Sequence, residues 1–307
     1  MKTLAAVFAF GFALAACGPT PPGETNIRDV RVAIPDADPS FIDFVTPEQI
    51  IEPGQDAMFC TDIVYKGEET AFRDMKFLQG KFGHHVIVLA TSKPKPEGTT
   101  YDCRSGASMA DLQPFAIPTG AEFPQGYGSY LPTGTALVLQ MHYLNTSSTP
   151  ILVRDVVRLQ KTPVANVQNW ATAYATNDYG FKLPPGAIDV TSQFDCVIPQ
   201  DLELLVLGGH MHENGASFKI EMGPNVQSLK TIYDVPAWKP EYRDTPPVNL
   251  FTTETLKVTK GTVFRTTCKW NNSTDREIEF PEEMCAAFAS ITGTRDPVTC
   301  FVGLTQK

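Results

Sequence analysis

The segment TALVLQMHYL, residues 135–144, is a nearly uncharged run of apolar, aromatic and branched side chains that follows a Pro-Thr-Gly turn signal. Apolar runs bounded by turn residues predict β-strands. The same pattern recurs in VIVLA (86–90), LLVLGGHMH (204–212), FKIEM (218–222) and LKVTKGTVFRTTCKW (256–270). No segment combines a sustained 3.6-residue period with helix caps. The sequence therefore predicts an all-β protein built from antiparallel sandwiches.

The length and composition indicate two globular domains. The chain has 307 residues, and a domain usually holds about 100–200. Apolar residues make up 42% and charged residues 19%, which supports a packed core and excludes wholesale disorder. The segment KTPVAN (161–166) predicts a boundary that gives domains 30–162 and 163–307. The formal net charge of −9 argues against a nucleic-acid partner, because neutralising phosphates requires a basic face.

The first 17 residues, MKTLAAVFAFGFALAAC, predict an export signal. A short basic start and an apolar stretch too short to span a bilayer precede small residues. The ending Leu-Ala-Ala-Cys is typical of a bacterial lipobox, in which Cys17 carries the lipid. The alternative is an ordinary signal peptide with Cys17 left as a free thiol. The Pro/Gly-rich segment 18–29 suits a flexible tether. We expect an exported, membrane-anchored monomer that faces the periplasm or the cell exterior.

Six cysteines remain besides Cys17, and export favours their pairing as structural disulfides. Three disulfides allow 15 connectivities. The simplest pairing that respects the domain boundary joins Cys60 to Cys103. No two cysteines have a metal-binding spacing.

All five histidines of the chain occur in three short motifs. His210 and His212 are two residues apart on a predicted strand, so both imidazoles lie on one face. His84 and His85 are adjacent and reach one ion only if the backbone turns there, which the preceding glycine permits. His142 lies on a strand of the same domain and completes a set of three. Each motif alone has an ordinary structural explanation, but together they predict metal binding.

The donor set does not fix the metal by itself. Imidazole suits zinc, copper, nickel and iron. A hydrolytic zinc site usually adds a carboxylate ligand or base, and the only acid beside the His210 motif is Glu213. Strand alternation points Glu213 away from the two imidazoles. Zinc hydrolysis is therefore an alternative that the sequence disfavours.

The ordered motifs HH, QMHY, HMHENG and EEMC resemble the type II copper, ascorbate-dependent monooxygenases, the family of peptidylglycine α-hydroxylating monooxygenase and dopamine β-monooxygenase. The resemblance runs from about Cys60 to Cys300. It implies two jelly-roll-like sandwich domains that each carry one copper ion, with the two ions facing each other across solvent. It also implies O2 as a co-substrate and ascorbate or another one-electron reductant.

The resemblance assigns roles to individual residues of this chain. His84, His85 and His142 resemble the ligands of the electron-supplying copper, and Gln140 resembles a residue suggested to assist electron transfer. The copper that binds oxygen and substrate would be held by His210, His212 and Met284. A thioether such as that of Met284 favours Cu(I), although a core position is its ordinary explanation. The resemblance implies the disulfides Cys60–Cys103, Cys196–Cys300 and Cys268–Cys285.

The chain departs from the peptide-amidating branch of that family in its substrate anchors. That branch holds a carboxylate with an arginine before the HxH motif and an asparagine and a tyrosine after Met-Cys. Gly208, Ala286 and Phe288 occupy these positions here. A glycine-extended peptide substrate is therefore not expected, and a small, weakly charged organic substrate is. The leading hypothesis is a copper monooxygenase, and its alternative is a copper-sequestering lipoprotein without turnover.

Overall fold

The computed structural model describes residues 26–104, 111–115, 123–243, 245–251 and 253–303. These residues form an all-β fold with two short 3-10 helices, Val164–Asn166 and Pro240–Arg243. The predicted export signal, Cys17 and residues 18–25 of the predicted tether lie outside the described residues. The first strand already begins at Arg28, two residues before the predicted start of the first domain.

The first half of the chain contains strands β1 to β12. In chain order their bounds are Arg28–Asp29, Phe41–Val45, Gln49–Ile51, Asp56–Val64, Thr70–Leu78, Gly83–Thr91, Thr100–Asp102, Leu112–Pro114, Tyr127–Leu131, Ala136–Leu144, Ile151–Val153 and Val156–Thr162.

The second half contains strands β13 to β24. In chain order their bounds are Asn169–Asp178, Lys182–Leu183, Val190–Val197, Leu202–His210, Gly215–Gly223, Lys230–Val235, Val248–Leu250, Leu256–Val258, Val263–Trp270, Ile278–Glu279, Ala286–Thr292 and Val298–Val302.

The first half is a two-sheet, jelly-roll-like sandwich. One sheet has the strand order β7-β4-β10-β6-β8, and the opposite sheet contributes β9-β5-β12-β2. Side chains from both sheets, among them Phe72, Leu139 and Leu159, form one buried core between them. The small sheet β1-β11-β3 lies beside this sandwich. The alternation of apolar residues that predicts the strands therefore also selects the face that each strand buries.

The second half repeats this architecture with its own core. Strands β19-β16-β23-β13 form one sheet, and β15-β21-β17-β18 form the other. Their facing side chains, among them Leu207, Phe218 and Trp270, make up the second core. In the part of the chain that the structure describes, the strands pair antiparallel apart from three short parallel pairs. No helix in the described part of the chain is long and apolar enough to cross a membrane.

The two halves meet through a short pairing at the predicted boundary. Asn169 and Trp170 at the start of β13 pair with Tyr127 and Gly128 of β9, which joins sheets of both halves into one ten-stranded sheet. A small buried cluster that includes Phe123 and Val206 bridges the halves. The first large core draws on residues 44–159 and the second on residues 174–298, and the segment 161–166 lies between these ranges.

Candidate metal centre

Strand β10 supplies the first side chains of the site because it is buried on both faces. It lies between β4 and β6, and its residues 137, 139, 141 and 143 point into the first core. The opposite face carries Val138, Gln140 and His142. Gln140 lies directly across from Cys60 in β4, and its Nε2 is 3.7 Å from each sulfur of the Cys60–Cys103 disulfide. This face therefore offers polar groups to a site outside the core.

A β-bulge brings His84 and His85 together. The register between β6 and β10 pairs His142 with His85 and then Tyr143 with Gly83, which leaves His84 as the extra residue. A bulge re-aims the side chain of such a residue. The ring centroids of His84 and His85 are 4.9 Å apart. The turn of the backbone that lets both side chains reach one ion is therefore present as a bulge. A side chain at Gly83 would collide with Gln79.

His210 ends strand β16, and His212 follows it in a turn that a buried acid holds. The carboxylate of Glu283 accepts the backbone N–H of His212 at 2.9 Å and that of Asn214 at 2.6 Å. The indole N–H of Trp270 donates to the same carboxylate at 3.1 Å. His212 Nδ1 donates to the carbonyl oxygen of Glu282 at 2.8 Å. These bonds fix both the turn and the imidazole of His212.

The five imidazoles form one cluster. Two groups of three could each hold a metal ion, with donor atoms within 4.8 Å of one another: His84, His210 and His212, and His84, His85 and His142. His84 belongs to both groups, and its Nε2 lies 3.3 Å from His212 Nε2. The resemblance implies two sets separated by solvent. The structure instead brings the two sets into contact.

Burial keeps four of these imidazoles neutral. It lowers the pKa of His85 to about 3 and that of His212 to about 4, and it holds the pKa values of His84 and His210 well below their usual range. Neighbouring histidines add to the effect on each of the four. A neutral imidazole keeps a nitrogen lone pair for a metal ion.

The free nitrogen atoms fit a metal ion. His142 Nδ1 is buried and has no hydrogen-bond partner, while its Nε2 donates to Asp56 Oδ1 at 2.6 Å. Because His212 Nδ1 is a donor, its Nε2 carries the lone pair that faces His84. Two nitrogens bound tetrahedrally at about 2.0–2.1 Å lie about 3.3 Å apart, which matches the separation of these two atoms. In the absence of metal, a proton on His84 Nε2 can bridge the same pair.

Two acidic side chains of the site are not among the residues that the sequence predicts. Asp56 bonds to His142, and this bond is the main cause that lowers the pKa of the Asp56 carboxyl. Glu283 is fully buried, and burial raises its pKa to about 7 against the effect of the N–H groups that point at it. The sequence offers one indication of Glu283, namely that it directly precedes the predicted ligand Met284. Asp56 gives no sequence signal.

The structure forms the three disulfides that the resemblance implies, Cys60–Cys103, Cys196–Cys300 and Cys268–Cys285. Met284 is partly buried and lies between Glu283 and Cys285, and its N–H donates to Glu283 at 3.3 Å. The Cys268–Cys285 disulfide therefore ties the segment that carries Met284 to strand β21.

The remaining candidate residues lie near the cluster without joining it. Glu213, the candidate zinc-site acid, forms an ion pair with Arg243 and is about half exposed. It belongs to neither group of possible metal ligands. Gly208 lies opposite Phe288, and a side chain at Gly208 would overlap the Phe288 ring. Ala286 lies opposite His210. The sheet face beside His210 is therefore apolar at the three positions where the peptide-amidating branch has anchors.

No family model and no curated protein matches this chain. Among solved structures it is similar to the major capsid protein P2 of bacteriophage PM2, with a TM-score of 0.29 and 8% identity over 82% of this chain and 97% of that chain. It is also similar to infectious bursal disease virus of the Gx strain, with a TM-score of 0.23 and 11% identity over 86% of this chain and 74% of that chain. Likenesses at these scores carry no argument about what the chain does.

Proposed function

We propose that this chain is a copper-dependent monooxygenase that hydroxylates a C–H bond of a small organic substrate with O2 and an external one-electron reductant. The observation that carries the proposal is the convergence of all five histidines from both halves of the chain, four of them kept neutral by burial. The buried Nδ1 of His142 has no hydrogen-bond partner, and the 3.3 Å between His84 Nε2 and His212 Nε2 is a metal-compatible spacing.

Copper suits this donor set better than zinc does. Neither group of possible ligands in the described residues contains a carboxylate, and Glu213, the acid that follows the His210 motif in the sequence, is paired with Arg243. The thioether of Met284, as a ligand beside His210 and His212, would add a soft donor that favours Cu(I). When bound, copper supplies the one-electron chemistry and the activation of O2, which no side chain of this cluster supplies alone.

The residues of the chain divide the work between two ions. His84, His85 and His142 would hold the electron-supplying copper, and His210, His212 and Met284 the copper that meets oxygen and substrate. Gln140 accepts the Nε2–H of His85 at 3.1 Å and contacts the Cys60–Cys103 disulfide. It therefore fixes the orientation of one ligand, which supports its assignment as an auxiliary residue of the electron-supplying group.

The surroundings of His210 favour a weakly charged substrate. Ala286, Gly208 and Phe288 line the sheet face next to this ligand and offer no charged group for a carboxylate. Three disulfides suit an oxidising compartment, which supports export. We propose that lipid on Cys17 anchors the protein to a membrane, from which it faces the periplasm or the cell exterior.

One observation favours a second function, copper sequestration without turnover. His84 belongs to both groups of possible ligands, and the groups touch. A compact cluster of this kind holds metal without requiring two chemically distinct sites. The enzyme hypothesis instead requires Met284 to distinguish the second site from the first.

Replacement of Met284 by histidine separates the two functions. Imidazole should retain Cu(II) but disfavour Cu(I), so Met284→His should keep copper and lose reductant-driven, substrate-stimulated O2 consumption. Met284→Leu is the matched control, since it removes the sulfur without adding a donor. Bound copper after dialysis and O2 uptake with a panel of apolar and aromatic compounds are measured together. Wild-type protein that holds copper but shows no stimulated uptake, with Met284→His equally protective in copper-stressed cells, would establish sequestration instead.

A further inference from the structure

Three of the five imidazoles donate a hydrogen bond to a protein acceptor, and these acceptors differ in charge. His85 Nε2 faces the neutral amide oxygen of Gln140 at 3.1 Å, and His212 Nδ1 donates to the neutral carbonyl of Glu282 at 2.8 Å. His142 Nε2 donates to the carboxylate of Asp56 at 2.6 Å. Among the described residues, the bond to His142 is the shortest of the three and the one with a charged acceptor.

We infer that Asp56 is a positioning residue that fixes the tautomer of His142 and gives its ligand group the stronger preference for Cu(II). This inference rests on the proposed function, because it concerns copper held by His84, His85 and His142. A group that stabilises Cu(II) gives up an electron more readily. Asp56 thereby marks this group as the electron donor toward the group of His210 and His212.

The geometry of the bond supports the positioning role. Asp56 begins strand β4 and lies opposite Leu144, while His142 lies opposite Met58, so the two residues are diagonal neighbours on one sheet face. Diagonal neighbours of this kind are within reach of long side chains. With a proton on Nε2, the lone pair of His142 is on Nδ1, the atom that is buried without a partner. A carboxylate in this position orients a metal-binding imidazole and raises its basicity.

The charge of Asp56 explains the expected preference between oxidation states. A negative charge one hydrogen bond away from a ligand stabilises the more highly charged ion, so Cu(II) gains more than Cu(I). The acceptors of His85 and His212 carry no charge and offer no such gain. The Asp56 side chain is 50% exposed, so solvent reduces its effect without removing it.

A neighbouring acid provides a matched control. Asp56 and His142 line a cleft of about 450 Å³ between the halves, and Asp102 lies on the same wall. Asp102 has the same exposed fraction, 50%, and bonds to Arg104 rather than to an imidazole. Replacing Asp102 by asparagine therefore removes one negative charge from the same cleft and leaves every imidazole contact in place.

The experiment measures Cu(II) and Cu(I) affinities by competition with chelators in wild type, Asp56→Asn, Asp56→Ala and Asp102→Asn. Thermal melts check that each variant folds. Loss of such an outer partner typically weakens metal binding about 10–100-fold. Asp56→Asn should lose Cu(II) affinity in that range and lose less of its Cu(I) affinity. Each tenfold by which the Cu(II) loss exceeds the Cu(I) loss raises the Cu(II)/Cu(I) reduction potential by about 59 mV. Asp56→Ala should lower the affinity for both Cu(II) and Cu(I), and Asp102→Asn should change neither affinity by more than about twofold.

Two results would overturn the inference while leaving the proposed function intact. In one, wild type binds copper but Asp56→Asn keeps the wild-type ratio of Cu(II) to Cu(I) affinity. In the other, Asp102→Asn shifts that ratio as much as Asp56→Asn does, which would assign the effect to the general charge of the cleft. Wild type that binds no copper would overturn the proposed function itself. Paramagnetic resonance of the Cu(II) protein adds a spectroscopic readout, since Asp56→Asn should alter the copper signal and Asp102→Asn should not.

Discussion

Replacing Glu283 by glutamine should destabilise the second half of the protein although it preserves the shape of the side chain. One carboxylate oxygen accepts the N–H groups of His212, Trp270 and Met284, and the other accepts two N–H groups of Asn214. Glutamine turns one of these oxygens into an NH2 group. The new NH2 group then faces the three donors of the first oxygen or the two donors of the second, so at least two donors lose their acceptor.

The magnitude follows from the number of orphaned donors. An unsatisfied buried donor costs about 1–3 kcal/mol, so two cost about 2–6 kcal/mol. That is a large part of the roughly 5–15 kcal/mol that stabilises a typical domain. Glu282 is the matched control, since it is the adjacent acid, is 44% exposed and pairs only with Arg276 through its side chain. Glu282→Gln should cost less than about 1 kcal/mol.

Urea denaturation followed by tryptophan fluorescence measures both variants. The three tryptophans, Trp170, Trp238 and Trp270, all lie in the second half, and the indole of Trp270 touches Glu283. The signal therefore reports the unfolding of the half that carries the substitution. A Glu283→Gln variant that unfolds within about 1 kcal/mol of wild type, a value no larger than one unsatisfied donor, would refute the role of this carboxylate.

Three further predictions test the site, the covalent framework and the electrostatics of the first core. His142→Ala should lower bound copper from two ions to about one, measured by elemental analysis, and an unchanged stoichiometry would show that His142 is not a ligand. Mass spectrometry of an unreduced digest should recover the three disulfides described above, and any bond between the halves would contradict both the pairing and the boundary. Burial raises the pKa of Asp155 to about 6, above its ordinary 3.8. Its folded form therefore binds the proton more tightly, and wild type should lose roughly 3 kcal/mol relative to Asp155→Asn as the pH rises from about 3.5 to 7. Denaturation at both pH values measures this difference, and an unchanged difference would place Asp155 in solvent contact.

The strands and their two cores could be predicted because they rest on local pattern. The run at 135–144 became the central strand β10, and its alternation sends residues 137, 139, 141 and 143 to one core. The sequence also predicts that His84 and His85 reach one ion only if the backbone turns there, since adjacent residues of a regular strand point to opposite faces. The structure meets this requirement with a bulge opposite His142 and Tyr143.

The residues that hold the histidines could not be predicted, because they depend on register and packing. Asp56 reaches His142 only through the alignment of β4 with β10, which no property of residue 56 itself reveals. Glu283 reads in the sequence as one of two ordinary acids before Met284. Its full burial, and the half-exposed state of Glu282 beside it, follow from the packing of the turn at His212 against Trp270.

The contact between the two histidine sets changes what must distinguish them. His84 of the first half lies against His212 of the second, and the halves are joined by a two-residue strand pairing and a small buried cluster. With the sets in contact and His84 common to both, distance no longer separates an electron-supplying group from an oxygen-binding group. The remaining differences are chemical: the thioether of Met284 would belong to one group only, and a carboxylate accepts from His142 where a neutral carbonyl accepts from His212. The direction of electron flow in the proposed enzyme would therefore depend on Met284 in the one group and on Asp56 beside the other.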